Sequence, residues 1–178
     1  MFGALRNLYL NSFLYDKKIS KPLNSIFQYK PSTFLLSSIV KIQTKKININ
    51  EFELETVWTN INLNNNQFKR LNNFFWIFSL DLKSSSSSVQ NVIKNWIEIN
   101  EKYNHKSWEF VTTSKRIISW LSNSRLTYDD SSEDYKKSFN FIIQKQTFHL
   151  FNQIKILKNY DDRLIGITAI ILFSLSYN

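Results

Sequence analysis

The sequence has no cysteine, two glycines, two prolines and two histidines in 178 residues. Without thiols it has no disulfide framework, no thiolate zinc site and no cysteine nucleophile. Gly3 and Gly166 stand far apart, which excludes the clustered-glycine loops that let backbone amides close on a phosphate. His105 and His149 leave little for metal chemistry, so neither a metal site nor a cofactor is expected. The longest apolar run, Leu164 to Tyr177, covers about 14 residues, short of the roughly 20 that cross a bilayer as a helix. No membrane span is expected, and the run reads as a buried helix. Met1 to Tyr15 is broken by Arg6, Asn7, Asn11 and Ser12 and lacks the features of a secretory leader. The compartment is left open, with the lack of a leader leaning towards the cytoplasm.

What is present points to an ordered chain. Hydrophobic residues make up 43% and aromatic residues 16%, with five tryptophans, which supplies one ordinary core. Twenty-three basic against fourteen acidic side chains give a net charge of +9, so an anionic partner is favoured. The lysines are dispersed and interrupted by acidic groups such as Glu51, Glu53 and Glu55, and Asp129, Asp130, Glu133 and Asp134. No basic stripe tracks a phosphate backbone and no aromatic sheet face is suggested, so nucleic acid is not the expected partner. AT-rich codons would raise Lys, Asn and Ile content without any functional demand.

The chain divides by pattern near residue 63. Residues 1–62 read as a loop and β-hairpin segment: Pro22 and Pro31 interrupt regular structure, and Ile47 and Ile49 alternate with Asn48 and Asn50 after Ile39, Val40 and Ile42. Residues 63–178 read as helices. The first spans Gln67 to Leu82, with Leu71, Phe74, Phe75, Phe78 and Leu82 on one face. The serines 84–88 form a turn and N-cap before a helix carrying Val89, Val92, Ile93, Trp96, Ile97 and Tyr103. A third helix covers Thr112 to Ser124. A fourth opens at Ser131-Ser132-Glu133-Asp134 and runs to about Lys158, with Phe139, Ile142, Ile143 and Leu150 on one side and Phe141, Phe148 and Phe151 on another. The fifth is capped by Asp161 or Asp162 and is apolar nearly all round, so it needs cover on most faces. Paired helices ending on such an element suggest an interrupted array.

Several pieces taken together are similar to the N-terminal helical part of heparinase II/III-like proteins, in particular an uncharacterised bacterial branch. They are Phe75-Trp76 with Asp81-Leu82, Asn95-Trp96-Ile97, the stretch from Trp108 to Leu121 that contains Arg116-Ile117-Ile118-Ser119-Trp120-Leu121, and Gln146-Thr147-Phe148-His149-Leu150. The resemblance covers most of the chain beyond Pro31. It implies an all-α fold, an incomplete α/α toroid of helical hairpins preceded by the short loop and hairpin segment, with a β-sandwich further on in full-length members. It also implies a polysaccharide lyase that cleaves uronic-acid-containing chains by β-elimination. In that reaction a base removes the proton α to the carboxylate and an acid protonates the leaving oxygen. Family members draw those groups, Tyr, His and Asn, from later toroid helices and the sandwich. No catalytic residue is therefore assigned here, and the expectation is a fragment or truncated product that is inactive alone. Where lyase-type members often carry an Asn-His pair, this sequence reads Asn159-Tyr160-Asp161-Asp162.

Four residues are candidates for binding an acidic polysaccharide: Trp108, Arg116, Trp120 and His149. Arg116 and Trp120 lie four apart and share a helix face with Thr113, which suits a cation–π pair or a sugar-stacking platform beside a carboxylate-binding guanidinium. The competing reading makes Trp120 core and Arg116 the anchor of a neighbouring helix end. Trp108 could stack on a sugar or pack at a helix entry, and His149 could be a base or a hydrogen-bonded interior residue. His105 and the Glu51, Glu53, Glu55 alternation read as solvated. The alternative function is a non-enzymatic helical scaffold or interaction protein that docks through its last helix.

Overall fold

The computed structural model describes residues 2–22, 25–31, 63–80 and 86–177. Among them eight α-helices follow in chain order: α1 (Phe2–Leu10), α2 (Phe13–Ile19), α3 (Asn65–Asn72), α4 (Ser86–Asn100), α5 (Phe110–Ser122), α6 (Ser124–Thr127), α7 (Glu133–Gln153) and α8 (Tyr160–Ser176). Short 3-10 turns lie at Phe75–Ser79 and Ile154–Ile156. The fold class is all-α: no strand occurs among the described residues, where an isolated antiparallel bridge joins Phe27 to Tyr177.

Polar side chains set the helix starts, because the first amides of a helix lack intrahelical acceptors. Ser12 caps α2, Asn64 and Gln67 form a reciprocal capping box on α3, and Ser132 caps α7. Glu109 caps α5, accepting from the Thr112 amide at 2.8 Å. The cap of α8 is Asn159, not Asp161 or Asp162. Its Oδ1 accepts from the amides of both aspartates, which occupy the first turn where the macrodipole favours negative charge.

Helix α5 is the hub. It packs on α3, α7 and α8 and on the first 3-10 turn, while α7 also meets α2, α4 and α8. Its contact with α8 is close because Gly166 faces Phe110, and a Cβ at Gly166 would collide with that ring. The core running through these elements contains Val89, Val92, Ile93 and Trp96 of α4, Ile117 and Leu121 of α5, and Phe139, Ile142, Ile143 and Leu150 of α7.

Three expectations need correction. The first third is not only loop and hairpin: residues 2–19 form α1 and α2, held to the core by Leu10, Tyr15 and Ile19. The Ile39 to Ile49 hairpin lies outside the described residues. The helix placed at Gln67 to Leu82 breaks at Asn73–Phe74. Asn73 Oδ1 accepts from the Phe75 amide at 2.9 Å, and Phe74 adopts φ 58°, a left-handed conformation that a bulky residue takes only when tertiary contacts hold it. Those contacts are the ring's burial against Trp76, Trp96 and Trp120, and a 2.7 Å hydrogen bond from Ser119 Oγ to the Phe74 carbonyl. Thirdly, α7 stops at Gln153 and not near Lys158. Of its second apolar side, Phe141 and Phe148 are half-buried and Phe151 is exposed.

Helix α8 is apolar all round but covered on one side only. Gly166, Ala169, Phe173 and Ser176 are buried, whereas Leu164, Ile167, Ile171 and Leu175 are exposed. No helix among the described residues is long and apolar enough to cross a membrane.

Candidate functional site

Arg116 sits in the middle of α5 with no exposed surface. Its Nε donates to Gln146 Oε1 at 3.1 Å, its Nη1 to the carbonyls of Asn72 at 2.7 Å and Ser107 at 3.0 Å, and its Nη2 to Thr113 Oγ1 at 3.2 Å. Four of the fork's donations thus end on oxygen, as a charged guanidinium requires when buried. Asn72 is the last residue of α3, so the cation lies at the negative end of that helix and satisfies one of its terminal carbonyls. Full burial pulls the Arg116 pKa well below its ordinary value, and the negative field of Glu109 acts in the opposite sense.

The aromatic partner of Arg116 is Trp96 of α4, with the guanidinium carbon 4.0 Å from the ring centroid. The expected pairing with Trp120 is not the one formed. Trp120 meets Trp96 edge-on at 5.6 Å, stacks on Phe139 at 5.4 Å and has no exposed surface. The Trp96 Nε1 donates to Asn72 Oδ1 at 2.8 Å, so the side chain and carbonyl of one asparagine tie α3 to both α4 and α5.

His149 of α7 lies beside this group, its ring 5.6 Å from Trp108. Trp108 is buried and donates from Nε1 to the Asn100 carbonyl at 2.9 Å. His149 Nδ1 is 2.7 Å from the Tyr15 hydroxyl, and the Trp108 backbone is its other hydrogen-bond partner. Burial pushes His149 down to about 3, against the Trp108 hydrogen bond, with the charges of Arg116 and Arg6 adding to the depression. Burial likewise pushes the Tyr15 hydroxyl up to about 12. Both groups are therefore neutral across the middle of the pH range. Gln153 extends the chain of polar contacts from Tyr15 to Arg6 of α1.

The structure thus brings together the four residues singled out from the sequence, but in the interior. None offers a ring face or a charged edge to solvent, so as placed here they pack and hydrogen-bond; they do not form an open sugar platform. Sequence reasoning missed Asn72, Trp96, Ser107 and Tyr15 as members of the cluster. Only Trp96 carried a signal, as the aromatic on the buried face of α4.

The accessible polar groups gather elsewhere. A cleft of about 280 Å³ is lined by Lys69, Asn73, Glu109, Thr112, Lys115 and Asp162. Lys69 Nζ is 3.2 Å from Glu109 Oε1. Burial raises the Glu109 pKa, but hydrogen bonds from Thr112 and the charge of Lys69 outweigh it, so the carboxyl titrates below its usual value. No group of histidine and carboxylate side chains suited to a metal ion occurs among the described residues.

No family model matches the chain, and no curated protein or solved structure matches it.

Proposed function

We propose that the chain is the opening helical portion of a heparinase II/III-like polysaccharide lyase. In this role it is scaffold, and the base and acid that cleave a uronic-acid-containing chain come from other parts of a longer protein. The observation that carries the reading is the composition of the buried cluster. Trp96, Trp108, Arg116, Trp120, Gln146 and His149 come from three stretches that bear the resemblance and help fix α4, α5 and α7 to one another, while Asn72, Ser107 and Tyr15 join them from outside those stretches. A toroid of helical hairpins is part of the same proposal, as is an acidic polysaccharide partner. The exposed stripe of α8 is the face on which further helices would pack.

The test is the ultraviolet signal of unsaturated uronate, measured over a panel of acidic polysaccharides for the 178-residue chain and for the longest reading frame that contains it. Signal from the longer protein alone is expected. Signal from the short chain would refute the scaffold role, and silence from both would refute the lyase assignment.

The exposed α8 stripe favours a second reading, a helical interaction protein without enzymatic activity. It predicts that a carboxylate placed at Ile171 abolishes capture of a helical partner without shifting the unfolding midpoint, because the side chain is exposed.

A further inference from the structure

The exposed surface of α1 and α2 is both apolar and basic. Leu5 and Leu8 of α1 and Phe13 and Leu14 of α2 are each more than 60% exposed, and Lys17, Lys18 and Lys21, on and just after α2, are exposed as well. On α2, Phe13, Leu14, Lys17 and Lys18 fall on one face, opposite the buried Tyr15 and Ile19. Asp16 is the one acidic residue between positions 2 and 22. Its carboxylate lies 2.8 Å from the Nζ of Lys145, an almost wholly buried lysine of α7. The charge displayed by the helix pair is therefore positive.

Two further features suit this side to removal from water. The polar groups at the α1–α2 corner are already satisfied locally: Asn11 Nδ2 donates to the Asn7 carbonyl at 2.8 Å and Ser12 Oγ to the Tyr9 carbonyl at 2.7 Å. Burying the corner would leave few unpaired groups. The pair is also not a loose tail, since Tyr15 is fixed by the 2.7 Å contact with His149 and Ile19 is fully buried.

We propose that this side of the molecule binds the surface of an anionic lipid bilayer. Leu5, Leu8, Phe13 and Leu14 enter the headgroup and acyl boundary, and Lys17, Lys18 and Lys21 meet lipid phosphates with their methylene stems laid along the interface. A soluble polyanion would satisfy the lysines but leave the four apolar side chains in water. The stripe on α8, by contrast, has no charge with which to select a lipid surface. This inference is independent of the lyase reading.

Flotation of the full chain with phosphatidylcholine vesicles, with and without phosphatidylglycerol, tests it. Binding is expected only when phosphatidylglycerol is present, and added salt should weaken it. Lys17→Gln/Lys18→Gln should weaken it by about fivefold for each lysine. Phe13→Ser/Leu14→Ser should abolish it even at low salt. Because these side chains are exposed, an unchanged urea midpoint confirms that both variants fold. Dextran sulfate, a polymer with charge but no apolar phase, separates the alternative. If it binds equally to wild type and to Phe13→Ser/Leu14→Ser while vesicles do not bind, the partner is a soluble polyanion and the proposal fails. Equal binding to neutral vesicles, or binding to phosphatidylglycerol that survives the apolar substitutions, overturns it as well.

Discussion

Arg116 and His149 illustrate two ways of keeping an ionisable side chain inside a protein. Arg116 keeps its charge by donating to the α3 end carbonyl of Asn72, the Ser107 carbonyl, Gln146 and Thr113, with its guanidinium carbon over the Trp96 ring. His149 gives its charge up: burial holds it neutral down to about 3, against an ordinary 6.5. The unfolded chain therefore binds a proton below 6.5 that the folded one refuses, so stability falls as pH drops from about 6.5 towards 3. The loss is on the order of 5 kcal/mol over that window. His149→Gln retains hydrogen-bonding capacity without titrating, and urea midpoints measured between these limits should lose most of their pH slope in this variant. The alkaline limb has the opposite sign. Tyr15 is held protonated to about 12, so the stability it contributes is full below 10 and declines as pH rises from there.

Among the elements, the α5–α8 contact is the most sensitive to a small change. Gly166→Ala gains about 1 kcal/mol of helix propensity, but the new methyl collides with the buried Phe110 ring. Overpacking of this kind costs about 1–3 kcal/mol, so a net loss of stability is expected. A urea double-mutant cycle with Phe110→Leu should recover part of it, and independent effects of the two substitutions would argue against the contact. Cap removal offers a milder check: Asn159→Ala deprives two amides of their acceptor and should lower stability by about 1 kcal/mol in the same assay. Helices α4, α5, α7 and α8 were legible in the sequence because their apolar residues recur at helical spacing, and α7 also because a serine cap, Ser132, opens it; the Glu109 and Asn159 caps were not read. Helices α1 and α2 were not, since Leu5, Leu8, Phe13 and Leu14 face outward and blur the core-facing period. The break at Phe74 was equally hidden, because the contacts that hold its backbone come from α4 and α5.

At the scale of the whole molecule, the candidate site and the core are the same place. The residue types that suggested sugar binding, two tryptophans, an arginine and a histidine, lie near one another in the interior. Their burial was not legible, because the residues enclosing them come from distant positions: Asn72 from α3, Trp96 from α4 and Tyr15 from α2. Spacing along one helix favoured Trp120 as the partner of Arg116, and only the packing of α4 against α5 and α7 reveals Trp96. Among the described residues two different surfaces are exposed, an uncharged stripe on α8 and the basic apolar surface of α1 and α2. Arg116 holds α3, α5 and α7 together through buried hydrogen bonds. The urea unfolding midpoint of Arg116→Lys, followed by tryptophan fluorescence, tests this most directly, because lysine keeps the charge but loses the fork. One cooperative transition with stability lower by about 3 kcal/mol is expected. A midpoint within about 0.5 kcal/mol of the wild-type chain, the range of an ordinary surface substitution, would contradict it.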